Sequence, residues 1–176
     1  MSSSAASQGR IAERPRGWRF YLSTWLPVAV MVTCIAVETQ SYFGADHTTG
    51  PLRRLVEWLF GPVPDAIWDQ VHHYIRKCGH LTGYGLLSFT WFRAFWRSYR
   101  THRSRTSRKL SAHLLAMFGT FLVASADEFH QSFLPNRTGT PVDVGIDCTG
   151  ALLVQLLIFL VMLRAFRRET NTPAAY

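Results

Sequence analysis

Apolar and polar positions do not alternate evenly along this chain; the apolar ones gather into long uncharged runs divided by charged stretches. Residues 20–37 hold 18 positions without Asp, Glu, Lys or Arg, residues 110–126 hold 17, and residues 148–163 hold 16. Runs of this length are apolar all round, and a chain of 176 residues cannot enclose several of them in one core. They suit helices in lipid, where the backbone satisfies its own hydrogen bonds. A first span is predicted over 20–37. Pro27 inside it is tolerated where a neighbour takes the freed carbonyl, and the run is longer than the core of a cleaved signal peptide, so a retained anchor is expected. A second span is expected over 79–96 with Arg93 snorkelling at its far end, a third over 110–126 and a fourth over 143–163. Between the first two, Leu52, Leu55, Val56, Leu59 and Phe60 recur at helical spacing with Arg53, Arg54 and Glu57 opposite, the pattern of a short interfacial helix. Gly61 and Pro62 end it; Pro64 and Asp65 then mark a new helix start with Asp65 as N-cap, and Trp68 and Tyr74 suit the headgroup zone. The expected fold class is all-α, a polytopic membrane bundle of four transmembrane helices with a short interfacial helix between the first and second.

Composition adds exclusions. A chain that is 48% hydrophobic and 14% aromatic, with its apolar residues in unbroken runs, is neither an ordinary soluble enzyme, a secreted disulfide scaffold nor a disordered tail protein. The three cysteines, Cys34, Cys78 and Cys148, lack CxxC spacing and are expected to be buried structural residues, with a Cys34–Cys78 disulfide left open. Charge then sets orientation. The stretches 1–19, 97–109 and 164–176 together carry thirteen basic residues against two acids, whereas 38–77 and 127–147 together carry nine acids against five bases. The positive-inside rule places both termini and the 97–109 loop in the cytoplasm, as an even number of spans requires. The expected division is a disordered basic cytoplasmic lead-in over 1–19, a four-helix membrane domain over 20–165 and a cytoplasmic tail over 166–176, in the inner membrane of a bacterial cell. No recognition motif accompanies the Arg residues, so the formal net charge of +8 is read as topology and anionic lipid contact, with no nucleic-acid partner.

The remaining polar residues fall at one end of the expected bundle. Lys77, His80 and Tyr84 share a helix face where the second span begins; Asp127, Glu128, His130 and Gln131 lie where the third ends; Asp143, Asp147 and Gly150 share a face where the fourth begins, and Arg137 lies on the loop before it. Ionisable groups in a membrane are costly unless paired, so these faces should turn toward one another. His72, His73 and His102 read as solvent or headgroup residues and His113 as a helix-to-helix hydrogen bonder. Ser125 has no strained elbow around it and is not expected to be a nucleophile.

The segments KCGHLTGYGLL and DEFHQSFLPNRTGTPVDVGIDCTG resemble the VanZ-like family. Its motifs run as a Lys and His with a following Tyr, then DE-x-x-Q, a Pro and Arg in a loop, and an Asp-led helix ending in Gly. Here they match Lys77, His80, Tyr84, Asp127, Glu128, Gln131, Pro135, Arg137, Asp143 and Gly150. The resemblance implies a small four-helix membrane protein, and the family's name-giving member is linked to resistance to the glycopeptide teicoplanin. Many members carry Asn where this chain has Asp147, so the chain adds a buried negative charge or a proton there.

Three functions fit these residues. In an enzyme, Asp127, Glu128, His130 or His80 would move a proton while Lys77, Tyr84, Gln131, Arg137, Asp143 and Asp147 hold an anionic lipid or cell-wall precursor. A non-catalytic module would bind the same ligand and shield it. In a structural bundle the cluster is glue between helices. The spacings of Asp127 with His130 and of Asp143 with Asp147 are usable by Zn or Mn, but Lys77 and Arg137 would repel the ion and no HExxH-type signature is present, so no metal is assigned and the cofactor stays unknown.

Overall fold

The computed structural model describes residues 16–40, 45–99, 104–134, 137 and 139–171, with the side chains of 45–48, 105 and 168–171 excepted. Most of the lead-in, His102 and Pro135 therefore lie outside the described residues. Five helices follow one another: α1 (Trp18–Glu38), α2 (Ala45–Phe60), α3 (Asp65–Ser98), α4 (Arg105–Gln131) and α5 (Pro141–Asn171). Three of them, α1, α4 and α5, are long and apolar enough to cross a membrane. Only 17–28% of each apolar stretch is buried inside the protein. Leu114, Phe118 and Leu122 of α4, and Leu152 and Leu156 of α5, are left half-exposed or more, an apolar surface no soluble monomer of this size carries.

The expected second span is the second half of α3, one uninterrupted helix of 34 residues. By length and composition α3 is not among the helices able to cross alone. It instead forms the centre of the bundle and packs against all four others. Its tightest contact is with α5, at Gly85 and Gly150. A Cβ on Gly150 would collide with the Leu81 carbonyl, and one on Gly85 would lie 3.0 Å from Val154 and 3.2 Å from the Gly150 carbonyl. The two backbones therefore meet through small residues, as in other membrane helix pairs.

Local signals set the helix ends. Gly61, at φ +90°, turns the chain out of α2 where an L side chain would be strained. Pro64 occupies the N-cap position of α3, so Asp65, expected there, is instead in the first turn and pairs with Arg53 at 2.6 Å. Ser104 caps α4 by accepting from the Ser107 N–H at 3.2 Å, and the Thr140 hydroxyl accepts from the Asp143 N–H at 3.2 Å, ahead of Pro141, at the start of α5. Pro27 deprives the Ser23 carbonyl of its helical donor, and the Arg93 guanidinium replaces it at 3.1 Å. Arg93, expected only to snorkel, thus completes a neighbouring helix.

The two ends of the bundle differ in charge, one basic and the other rich in acids that share it with Arg76, Lys77 and Arg137. At one end Arg16 donates to the Arg97 and Ser98 carbonyls, Arg97 lies over Phe20, and Arg108 lies 3.9 Å over the Trp96 ring. At the other end are Glu38, Asp127, Glu128, Asp143 and Asp147. Between them His113 and Gln155 join α4 to α5 at 2.6 Å, and Gln155 donates to Ser88 on α3. His113 is thus the helix-to-helix hydrogen bonder expected. Two other expectations are corrected. Trp68 and His72 do not face headgroups: they are 3% and 5% exposed and stacked under α2, because α2 folds back on α3 and covers them. Cys34 and Cys78 are exposed rather than buried, Cys148 is half-buried, and all three are free thiols.

A candidate functional site at the acidic end

Asp127 is the knot of the cluster. Its Oδ1 accepts from the Thr39 hydroxyl on the residue that ends α1, and its Oδ2 from the Tyr84 hydroxyl at 2.8 Å and the Gln131 amide at 3.1 Å. One carboxylate thereby ties α1, α3 and α4 together. Lys77 on α3 pairs with Asp143 in the first turn of α5. Glu128, 5% exposed, accepts from the Thr140 N–H at 2.9 Å and so fixes the end of α4 to the start of α5. His80 stacks on Tyr84 and places Nδ1 3.3 Å from Asp147 Oδ1, while its Nε2 lies 3.9 Å from the Glu38 carboxylate. Asp147 is fully buried, and neither of its oxygens accepts a hydrogen bond.

Among the described residues Arg137 forms no ion pair with a carboxylate. Its Nη2 donates to the Glu38 carbonyl at 2.7 Å and more weakly to the Gln40 carbonyl at 3.4 Å, binding the loop to the carbonyl-bearing C-terminal end of α1, where a cation is favoured. Its Nε is buried without a partner. Burial, followed by the nearby Arg76, lowers the guanidinium's pKa from its ordinary value, while Glu38, Asp127 and Glu128 act the other way.

A cavity of about 140 Å³ opens among these groups. Its cations are Arg76, Lys77 and Arg137, its acids Glu128 and Asp143, and His73, His80 and Gln131 complete the wall. At roughly 30 Å³ of liquid per water, it has room for a few waters or one small oxyanion. Of the residues singled out in the sequence, Lys77, His80, Glu128, Gln131, Arg137 and Asp143 line it, and Tyr84, Asp127 and Asp147 lie against that wall. His130 does not join them. It is exposed and, with Asp127, lines an apolar groove between α1 and α4.

Arg76, His73, Glu38 and Thr39 were not among the expected site residues. For Arg76 and His73 a signal exists in the sequence: the Lys77–His80–Tyr84 face continues back one turn to both. For Glu38 and Thr39 none does, since the contacts that bring them in span 42 and 88 positions. The two ligand spacings weighed for a metal, Asp127 with His130 and Asp143 with Asp147, do not converge; among the described residues the atoms close enough to share an ion are those of His80, Glu128 and Asp147.

No curated protein matches this chain, and no solved structure does. A family model does, and it covers residues 20–163, from the start of the first apolar helix to the uncharged end of the last. With three helices apolar enough to cross a membrane and the described motif residues gathered at one end of the bundle, the chain belongs to the VanZ/LLP1 family of membrane proteins.

Proposed function

We propose that this protein is a four-span protein of the bacterial inner membrane, with both termini cytoplasmic, whose acidic end faces the cell envelope and binds the anionic group of an envelope component there, a lipid-linked or cell-wall precursor. In this reading the apolar half of α3 is the second of the four spans, beside α1, α4 and α5. Its centrality supports that, because a helix enclosed by other spans needs less apolar surface of its own. Leu55, Leu59 and Phe60 of α2 are 52–82% exposed, as an interfacial helix facing acyl chains requires.

The observation that carries the anion reading is the cavity itself: three cations from α3 and the α4–α5 loop, against the two acids Glu128 and Asp143, border a space of oxyanion size at the boundary of an apolar bundle. Binding is favoured over proton transfer by Asp127, because three donors hold it and leave little freedom for acid–base work. A ligand sequestered in this way would be less available to a glycopeptide. The test is the amount of anionic lipid retained per purified chain, with growth under teicoplanin as the cellular readout. Arg76→Gln and Arg137→Lys should lower both at unchanged membrane abundance, the second because an ammonium lacks the planar fork of a guanidinium. A second reading, in which the polar cluster is internal glue, draws on the same hydrogen bonds at Asp127 and Glu128. It predicts unchanged lipid retention in Arg76→Gln.

A further inference from the structure

Three helices each aim one ligand atom at a common point. His80 of α3, Glu128 of α4 and Asp147 of α5 place these atoms within 4.8 Å of one another. Ligands around one ion at bonds of about 2.0–2.2 Å stand roughly 3–3.5 Å apart, so closure takes side-chain shifts on the order of an ångström. What distinguishes the trio from a crowd of acids is Asp147. It is fully buried and neither carboxylate oxygen accepts a hydrogen bond, although Asp127, at the same end of the bundle, is bonded on both. The contact of Asp147 with His80 at 3.3 Å lacks hydrogen-bond alignment. A buried carboxylate without aligned donors is costly, and a bound cation relieves it, as does a proton on Asp147 or on the His80 ring beside it.

We infer that His80, Glu128 and Asp147 bind a divalent transition-metal cation, Zn²⁺ or Mn²⁺ by the chemistry of the donors, at the base of the polar cavity. One imidazole nitrogen and two carboxylate oxygens form a mixed N/O set with no thiolate, and the two carboxylates balance the ion's charge. The neighbours fit this assignment. Glu128 has one oxygen on the Thr140 N–H and the other to offer. Behind the imidazole, the Glu38 carboxylate lies 3.9 Å from Nε2, on the side from which a carboxylate orients a metal-bound histidine. Two of the cavity's three cations are engaged: Lys77 is paired with Asp143, and Arg137 donates to carbonyls, which leaves Arg76 to oppose an ion. Three protein ligands leave coordination positions open, and the cavity is where a small oxyanion would take them.

This site stands independently of the anion reading, because it is measured by metal alone. Full-length protein in nanodiscs, freed of any affinity tag and with Cys34, Cys78 and Cys148 replaced by Ser, is stripped with chelator and supplied with Zn²⁺ or Mn²⁺. Bound metal is counted after removal of the excess, and thermal unfolding is followed with and without the ion. The expected result is about one ion per chain and a raised unfolding temperature. Asp147→Asn and Glu128→Gln each weaken binding by on the order of 100-fold or more and abolish the thermal shift, while Asp69→Asn, at an exposed carboxylate, keeps both. If Asp147→Asn fails to accumulate, Glu128→Gln decides. Less than about a tenth of an ion per chain, or undiminished affinity in whichever variant accumulates, overturns the inference. Loss of retained lipid in Arg76→Gln with metal unchanged would uphold both readings; retained lipid with metal unchanged would sink the anion reading alone.

Discussion

At Gly150 the smallest side chain fixes the position of the largest charges. The Leu81 carbonyl occupies the space a Cβ would need, and His80 and Asp147 lie within one turn of that crossing. Gly150→Ala should therefore push α3 from α5 and destabilise the protein by about 1–3 kcal/mol, as overpacking does elsewhere. Gly79, whose Cβ would meet nothing within 4 Å, is the matching control. Gly79→Ala should leave stability unchanged or raise it by up to about 1 kcal/mol through helix propensity. Thermal unfolding of both variants in the same nanodisc checks the pair. Tyr84→Phe keeps the ring and removes one of the three donors on Asp127, so it should cost about 1–3 kcal/mol by the same measurement. At this scale most of the candidate cluster was legible as a cluster, because spacing on one helix decides which side chains share a face. What spacing cannot show is which residue faces which across helices. His130 follows Asp127 by three positions and shares the apolar groove beside α1 with it, yet Asp127 also bonds Tyr84 and Gln131 behind the polar cavity, whose wall His130 does not reach.

Each helix is also completed by something outside itself. The Ser23 carbonyl that Pro27 orphans is held by Arg93, so Arg93→Leu should destabilise the protein by roughly 1–3 kcal/mol. Adding Pro27→Ala should recover much of that loss by restoring the helical N–H, a coupling a double-mutant cycle measures directly. The α2–α3 hairpin gives a pH prediction. His72 is buried against Trp68 with Thr49 of α2 3.5 Å away, and burial, with Arg76 second, lowers its pKa below the ordinary 6.5, against an opposing effect of Asp69. In the folded state the imidazole thus resists protonation. Its contribution is complete above pH 6.5 and is lost as pH falls, because the unfolded state takes up the proton first. Once corrected for the intrinsic exchange rate, which itself falls with pH, the protection of amides over Ala45–Phe60 should decrease between pH 7 and 5.5 in the wild type. In His72→Phe that pH dependence should shrink; an unchanged dependence would remove His72 from the account. The sequence marked the amphipathic stripe and the Gly61 stop of this hairpin, but not the contacts of Arg53, which reaches Glu57, the Val63 carbonyl and Asp65 together across the turn.

For the molecule as a whole, the charge pattern in the sequence and the ends of the bundle agree: α1 and α4 begin, and α3 and α5 finish, among the basic residues. Single cysteines read the orientation once the three native ones are Ser. Thr106→Cys should label only after the inner face is opened, and Ser132→Cys should label from outside intact cells; the reverse pattern would invert the topology. The three apolar spans were plain in the sequence because lipid-facing helices need no partner to be recognised. α3 was harder, since a helix surrounded by other helices can carry polar residues that hydropathy scores as a loop. Its bond from Arg93 to Ser23 joins positions 70 apart in the chain. At synthesis rates of about 5–20 residues per second, Arg93 emerges roughly 4–14 seconds after the carbonyl it must satisfy. For that interval α1 sits in the membrane incomplete, so the order in which the helices arrive becomes a constraint on which of them can be stable alone.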